Sequence, residues 1–159
     1  MISNTNIIEW PKQKVSTDPY VFGLELGYNV SIPKEYLYND MDTRLQLLAG
    51  IIDTYGSYVE YEKDQTIEVK QCEELINDLD FLCKSLGFNT AKNNMHLCIK
   101  GNKLHEIPSR LVTKKLVENK NKNYNYFDFT ITPIGYGPFN GWSLDGNERF
   151  LLGNFIVTH

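Results

Sequence analysis

Three groups of residues in this chain have types and spacings that could do chemistry. The first is His159, which follows the mostly apolar run Phe150 to Thr158, itself preceded by Glu148 and Arg149. An imidazole titrates near neutrality and is the usual general acid or base. The second is Asp53 with Tyr55, at the end of an apolar stretch that carries the small residues Ala49 and Gly50. The third is a set of cations, Lys100, Lys103, Arg110, Lys114 and Lys115, whose natural chemistry is contact with phosphates. The three cysteines, Cys72, Cys83 and Cys98, form no CxxC pair and are odd in number. They read as reduced, mostly buried thiols, so no disulfide framework, zinc site or other metal or cofactor site is expected.

Several elements must position these groups. Asp18-Pro19 is a helix-start signal, and a short helix is predicted over 20–26, broken at Gly27. Asp42 is predicted to cap a second helix over 43–53, apolar nearly all round and therefore central. From Ser57 the period becomes two, with Tyr58, Val59 and Tyr61, then Thr66, Ile67 and Val69, a β-hairpin signal around Lys63-Asp64. Leu75, Ile76, Leu79, Leu82, Cys83 and Leu86 share one helical face over 73–86, and Gly87 supplies the left-handed stop. A strand is expected over 95–100 and a short basic helix over 111–118. The Asn/Lys run 119–125 reads as a linker, and residues 123–159 read as all-β, punctuated by glycines.

Charge is unevenly placed along the 159 residues, whose formal net charge is −4. Residues 34–80 hold 4 basic and 12 acidic residues, net −8, whereas 81–122 hold 9 basic and 2 acidic, net +7. Such asymmetry reads either as a nucleic-acid face or as two solvated surfaces of opposite sign. At 42% hydrophobic and 23% charged, the composition is that of a folded domain rather than a disordered one. No apolar run approaches the ~20 residues of a membrane span, and the N-terminal stretch lacks the pattern of a secretory signal. An intracellular, non-membrane protein is the expectation.

Leu48-Ala49-Gly50-Ile51-Ile52-Asp53-Thr54-Tyr55-Gly56 reads by pattern as a buried core helix, and its letters resemble the LAGLIDADG motif of dodecapeptide homing endonucleases. A partner copy is similar over Asp18-Pro19-Tyr20-Val21-Phe22-Gly23-Leu24-Glu25-Leu26-Gly27-Tyr28-Asn29. Ile32-Pro33-Lys34-Glu35-Tyr36-Leu37, Arg44-Leu45-Gln46-Leu47, Ser85-Leu86-Gly87-Phe88, Ile99-Lys100-Gly101, Ile107-Pro108 and Lys114-Lys115 look like the same family, in the lineage of the yeast vacuolar ATPase intein. The resemblance implies two motif helices packed together, with an acid at the eighth position of each holding divalent metal for DNA cleavage. Those positions are Tyr28 and Tyr55 here, and a phenol with a pKa of about 10 is a poor ligand for magnesium. Asp53 takes a structural role near the helix end. The two motifs are also too close in sequence for a full repeat between them. A degenerate endonuclease without cleavage activity is the expectation.

The last eighteen residues, from Trp142 to His159, resemble the two final splicing blocks of an intein, where the chain ends His-Asn before a Cys, Ser or Thr of the host protein. The resemblance implies that His159 assists cyclisation of a following asparagine. Glu148 stands where many inteins place a histidine, with Arg149 beside it to compensate. Asp145-Gly146-Asn147 reads equally as a hairpin turn. The fold expected is α+β: residues 1–17 and 123–159 supply the β-strands of a Hint splicing domain, and 18–122 form a mixed α/β endonuclease remnant. The function implied is autocatalytic, single-turnover trans-splicing, as the C-terminal fragment of a split intein. Its partners are an N-terminal intein fragment and flanking host segments, with DNA bound weakly at most. The alternative is a DNA-binding relic that grips phosphates through the five cations without cutting.

Overall fold

A computed structural model describes residues 2–3, 7–27, 30–61, 64–114, 116, 126–127, 130, 132–133, 135–138, 145–146, 149–153 and 155–158. Its first helix, α1 (Pro19–Glu25), begins where the sequence signals it, with the Asp18 carboxylate accepting from the Val21 N–H at 3.0 Å and proline at the first position. A one-turn helix α2 (Lys34–Leu37), read only as a local turn in the sequence, is seated on Pro33 and buries Tyr36 and Leu37. The long helix α3 (Met41–Tyr55) starts two residues earlier than predicted. Asp40, not Asp42, is its cap, accepting from the Thr43 N–H at 3.0 Å. Asp42 falls instead in the first turn, where a negative charge faces the helix dipole's positive end.

Two strands follow, β2 (Gly56–Tyr61) and β3 (Asp64–Lys70), paired antiparallel from Gly56–Val69 to Tyr61–Asp64. Helix α4 (Glu73–Ser85) ends at Gly87, whose φ of 80° is reached without the strain a β-carbon would bring. The Phe88 N–H then returns to the Cys83 carbonyl at 3.0 Å, closing the helix as a left-handed cap requires. Strands β4 (Asn89–Asn93) and β5 (His96–Lys100) complete a four-stranded antiparallel sheet of order β2-β3-β5-β4. β4 carries no period-two apolar signal: its sequence is NTAKN, and the strand is held by its pairing with β5.

The core lies on one face of this sheet. Ile67, Val69, Leu97 and Ile99 point inward against Leu47, Leu48, Ile51 and Ile52 of α3 and Leu75, Ile76, Leu79 and Leu82 of α4, all fully buried. Alternation is visible in β5, where Leu97 and Ile99 are buried and His96, Cys98 and Lys100 are half-buried on the opposite face. The predicted basic helix over 111–118 is, among the described residues, a single 3-10 turn at Val112–Lys114. No helix of the described residues is long and apolar enough to cross a membrane.

The described residues beyond 123 hold only short strands: β6 (Tyr126–Phe127), β7 (Phe150–Leu151) and β8 (Val157–Thr158). β6 pairs antiparallel with β1 (Ile2–Ser3) at the other end of the chain, and β7 pairs with β8. Residues 8–17, grouped with the terminal strands in the sequence reading, run along the α/β body instead. The Ile8 N–H donates to the Ser85 carbonyl at 2.9 Å, and the Gln13 N–H donates to Asn39 Oδ1 at 2.9 Å.

Candidate functional site

Helices α1 and α3 meet at two glycines. A β-carbon on Gly23 would stand 2.5 Å from the Leu47 carbonyl oxygen and 3.1 Å from the Gly50 α-carbon, and one on Gly50 would overlap the Tyr20 carbonyl oxygen. Neither leaves room for a methyl group, so the backbones touch. Thr54 Oγ1 adds a donor to the Gly50 carbonyl at 3.1 Å, within its own helix.

Below that crossing lies Asp53, at the foot of α3 and buried. It accepts from the Tyr20 hydroxyl at 2.7 Å, the Ser109 hydroxyl at 2.5 Å and the Arg110 N–H at 2.8 Å. Burial opposes ionisation, but these donors, with the Leu111 N–H, outweigh it and hold the carboxyl below its ordinary pKa. Tyr20 moves the other way, raised by burial and by its hydrogen bond to that carboxylate. Tyr58, on the sheet face beneath, is pushed up to about 12 by burial and by the Asp53 charge. The Arg110 guanidinium lies 3.7 Å from the centroid of the Tyr20 ring. An acid with this many donors is a fixed structural anion that ties the 107–111 loop to α1 and α3.

Tyr55 sits one turn end beyond, half-buried, with its hydroxyl donating to the Leu26 carbonyl. A phenol donating to a backbone carbonyl fastens α3 to the segment after α1 and offers little to a cation. Tyr28, the matching position of the other motif, lies outside the described residues, as do Lys115, Glu148 and His159. Arg149 is exposed, immediately before β7, and Gly146 has a φ of 69°, the conformation a turn glycine takes.

Of the five cations, the four among the described residues sit on β5 and in the turns that follow it. Lys100 is half-buried on the outer sheet face, Lys103 is 3.6 Å from Glu106, and Arg110 borders an open cleft with Lys12, Lys14, Asp18 and Asp42. Lys114 ends the 3-10 turn.

Sequence reasoning missed the most heavily bonded cation among the described residues. Arg44 is fully buried and has no carboxylate within ion-pair distance among the described residues. Its Nε donates to the Asn39 carbonyl at 2.9 Å, Nη1 to the Ser85 carbonyl at 3.0 Å and hydroxyl at 2.8 Å, and Nη2 to the Ile8 carbonyl. The guanidinium also stacks 4.6 Å from the Trp10 ring centroid. Burial lowers its pKa to about 10, which still leaves it charged at neutrality. An arginine inside an otherwise apolar helical face, behind the polar pair Asp42-Thr43, is the signal that could have marked it.

Trp10 stacks on Phe81 at 6.2 Å between centroids, and Phe155, from the turn between β7 and β8, meets the same Phe81 edge-on at 5.1 Å. Phe155 is buried with a φ of 64°, a left-handed conformation uncommon for a side chain of this size. The chain matches no protein-family model and no curated protein sequence.

Proposed function

We infer that this chain is the C-terminal portion of an intein, which pairs with an N-terminal intein fragment and ligates the flanking host segments in trans. Its α/β body is a LAGLIDADG-type endonuclease domain that no longer cuts DNA, inserted between strands of a Hint splicing domain. One observation carries the reading: Ile2–Ser3 pairs with Tyr126–Phe127, so the two ends of the segment that holds the α/β body meet in one strand pair. This pairing supports a body inserted into a β-framework. The glycine crossing of α1 and α3 and the structural use of Asp53 agree with the motif assignment. Leu151 at the end of β7 and Leu152 just after it are 45% and 39% exposed, apolar surface that a partner fragment would cover.

In this reading a following asparagine attacks its own carbonyl, forming a succinimide and releasing the downstream flank. His159 supplies the proton that the leaving amine needs. The test is reconstitution: an asparagine and a nucleophilic residue placed after His159, mixed with the N-terminal fragment of an intein of this lineage. Ligation of the flanks is expected. In His159→Ala the cyclisation step should slow by roughly 10²–10⁴-fold and branched intermediate should accumulate. No association between the fragments would overturn the reading, and loss of the first acyl shift with downstream cleavage intact would overturn the role of His159.

A further inference from the structure

The outer face of the central strand pair gathers three side chains of different ligand chemistry. Glu68 of β3 is the register partner of Cys98 of β5, and His96 lies two residues before Cys98, on the same face. His96 Nε2 is 3.3 Å from Glu68 Oε2 and 3.9 Å from Cys98 Sγ, and Cys98 Sγ is 4.0 Å from Glu68 Oε1. One ligand atom from each falls within 4.8 Å of the others. All three are half-buried, so the cluster is both held in place and reachable from solvent.

We propose that Glu68, His96 and Cys98 form a zinc site on the outer face of the sheet. A tetrahedral zinc ion with oxygen, nitrogen and sulfur ligands sets its donors roughly 3.4–3.6 Å apart. The His96–Glu68 separation of 3.3 Å is close to that range, and the cysteine sulfur needs to close by about half an ångström, within reach of a side-chain rotation. The flanking residues in the same row are Ser57 on β2 and Ala91 on β4, both small, which leaves space above the cluster for a metal and a fourth ligand. Each strand is pinned by its neighbours, so the ligands need no loop to order before binding. On binding, the Cys98 sulfur–metal bond forms as the thiol proton leaves to solvent, replacing the thiol's weak donation to Glu68. Three protein ligands with an open fourth position suit a water molecule or a donor from a partner chain. The inference stands apart from the splicing reading, because it rests on the four-stranded sheet, with all three ligands on β3 and β5.

This site is invisible to spacing rules. His96-x-Cys98 is too short to chelate along a helix, and the third ligand comes from a strand 28 residues away in sequence. Only antiparallel pairing brings them together.

The test uses the full chain, reduced, titrated with cobalt(II) and then zinc(II) chloride. An intense thiolate-to-cobalt absorption band is expected to grow to one equivalent, to vanish on adding zinc, and to be missing in Cys98→Ser. Zinc affinity, read by calorimetry, should fall more than about tenfold in Glu68→Gln and in His96→Gln. Cys72→Ser should keep the band, since that thiol is on the core side. No band in the unaltered chain, or a band that survives Cys98→Ser, overturns the site. Unchanged zinc affinity in His96→Gln overturns it independently.

Discussion

Gly23 and Gly50 lie face to face where α1 crosses α3, with the built β-carbon of Gly23 only 3.1 Å from the Gly50 α-carbon. At that distance the two helices share one layer of backbone, and any side chain there must push them apart. Gly50→Ala is therefore expected to destabilise the protein by about 1–3 kcal/mol or more through overpacking. Gly27→Ala is the control, because among the described residues its β-carbon would meet a Val30 methyl at an ordinary 3.9 Å and nothing nearer. Urea unfolding of the two variants should separate them, and equal midpoints would contradict the close crossing.

Asp53 gives a prediction in pH. Its folded pKa is below the unfolded value, so its contribution is complete above about pH 4, the ordinary aspartate range, and is lost as pH falls through the folded pKa. Asp53→Asn should cost roughly 1–3 kcal/mol at neutrality, by turning an amide donor toward the Ser109 or Tyr20 hydroxyl. The variant should also lose less stability on acidification than the parent. Asp40 and Asp80, whose pKa values are also lowered against the opposing effect of burial, keep some acid sensitivity in both. Denaturation midpoints measured from pH 7 down to pH 3 check both signs; parallel curves would contradict the Asp53 assignment.

Arg44 should be intolerant even of lysine. Its planar fork reaches carbonyls of residues 8, 39 and 85 together, which a single ammonium cannot do. Arg44→Lys is expected to cost at least about 2 kcal/mol, from backbone acceptors left without donors. Arg110→Lys, stacked on Tyr20 at the surface, should cost well under 1 kcal/mol. Thermal or urea unfolding ranks the two.

DNA cleavage is expected to be absent. On the proposed intein reading, plasmid incubated with the chain and magnesium or manganese should stay supercoiled, because tyrosines take both positions where a LAGLIDADG motif carries a metal-binding acid. Residual binding should weaken steeply with salt, as phosphate contacts do. Nicking abolished by EDTA would refute this.

How much of this could be read from the chain follows from range. α1, α3, α4 and the β2–β3 hairpin were legible, because apolar period, Pro at a helix start and Gly at a helix stop act within a few residues. The cap of α3 was misread by two positions, since Asp40 and Asp42 both have the right chemistry and only the backbone decides. Strand β4 has no apolar signal and exists because β5 offers it an edge. The partners of Asp53 and Arg44 lie 33 to 57 and 5 to 41 residues away, so a structural acid and a buried cation could be suspected but not partnered.

The bonding of Arg44 also fixes an order of events during synthesis. Two of its acceptors, at residues 8 and 39, are made before it, and the last, at Ser85, is made 41 residues later. Until Ser85 has left the ribosome the guanidinium must stay hydrated, and the face of α3 that carries it cannot sink into the core. At roughly 5–20 residues per second this is a wait of roughly 2–8 s, during which the glycine crossing of α1 and α3 can form but the body cannot close.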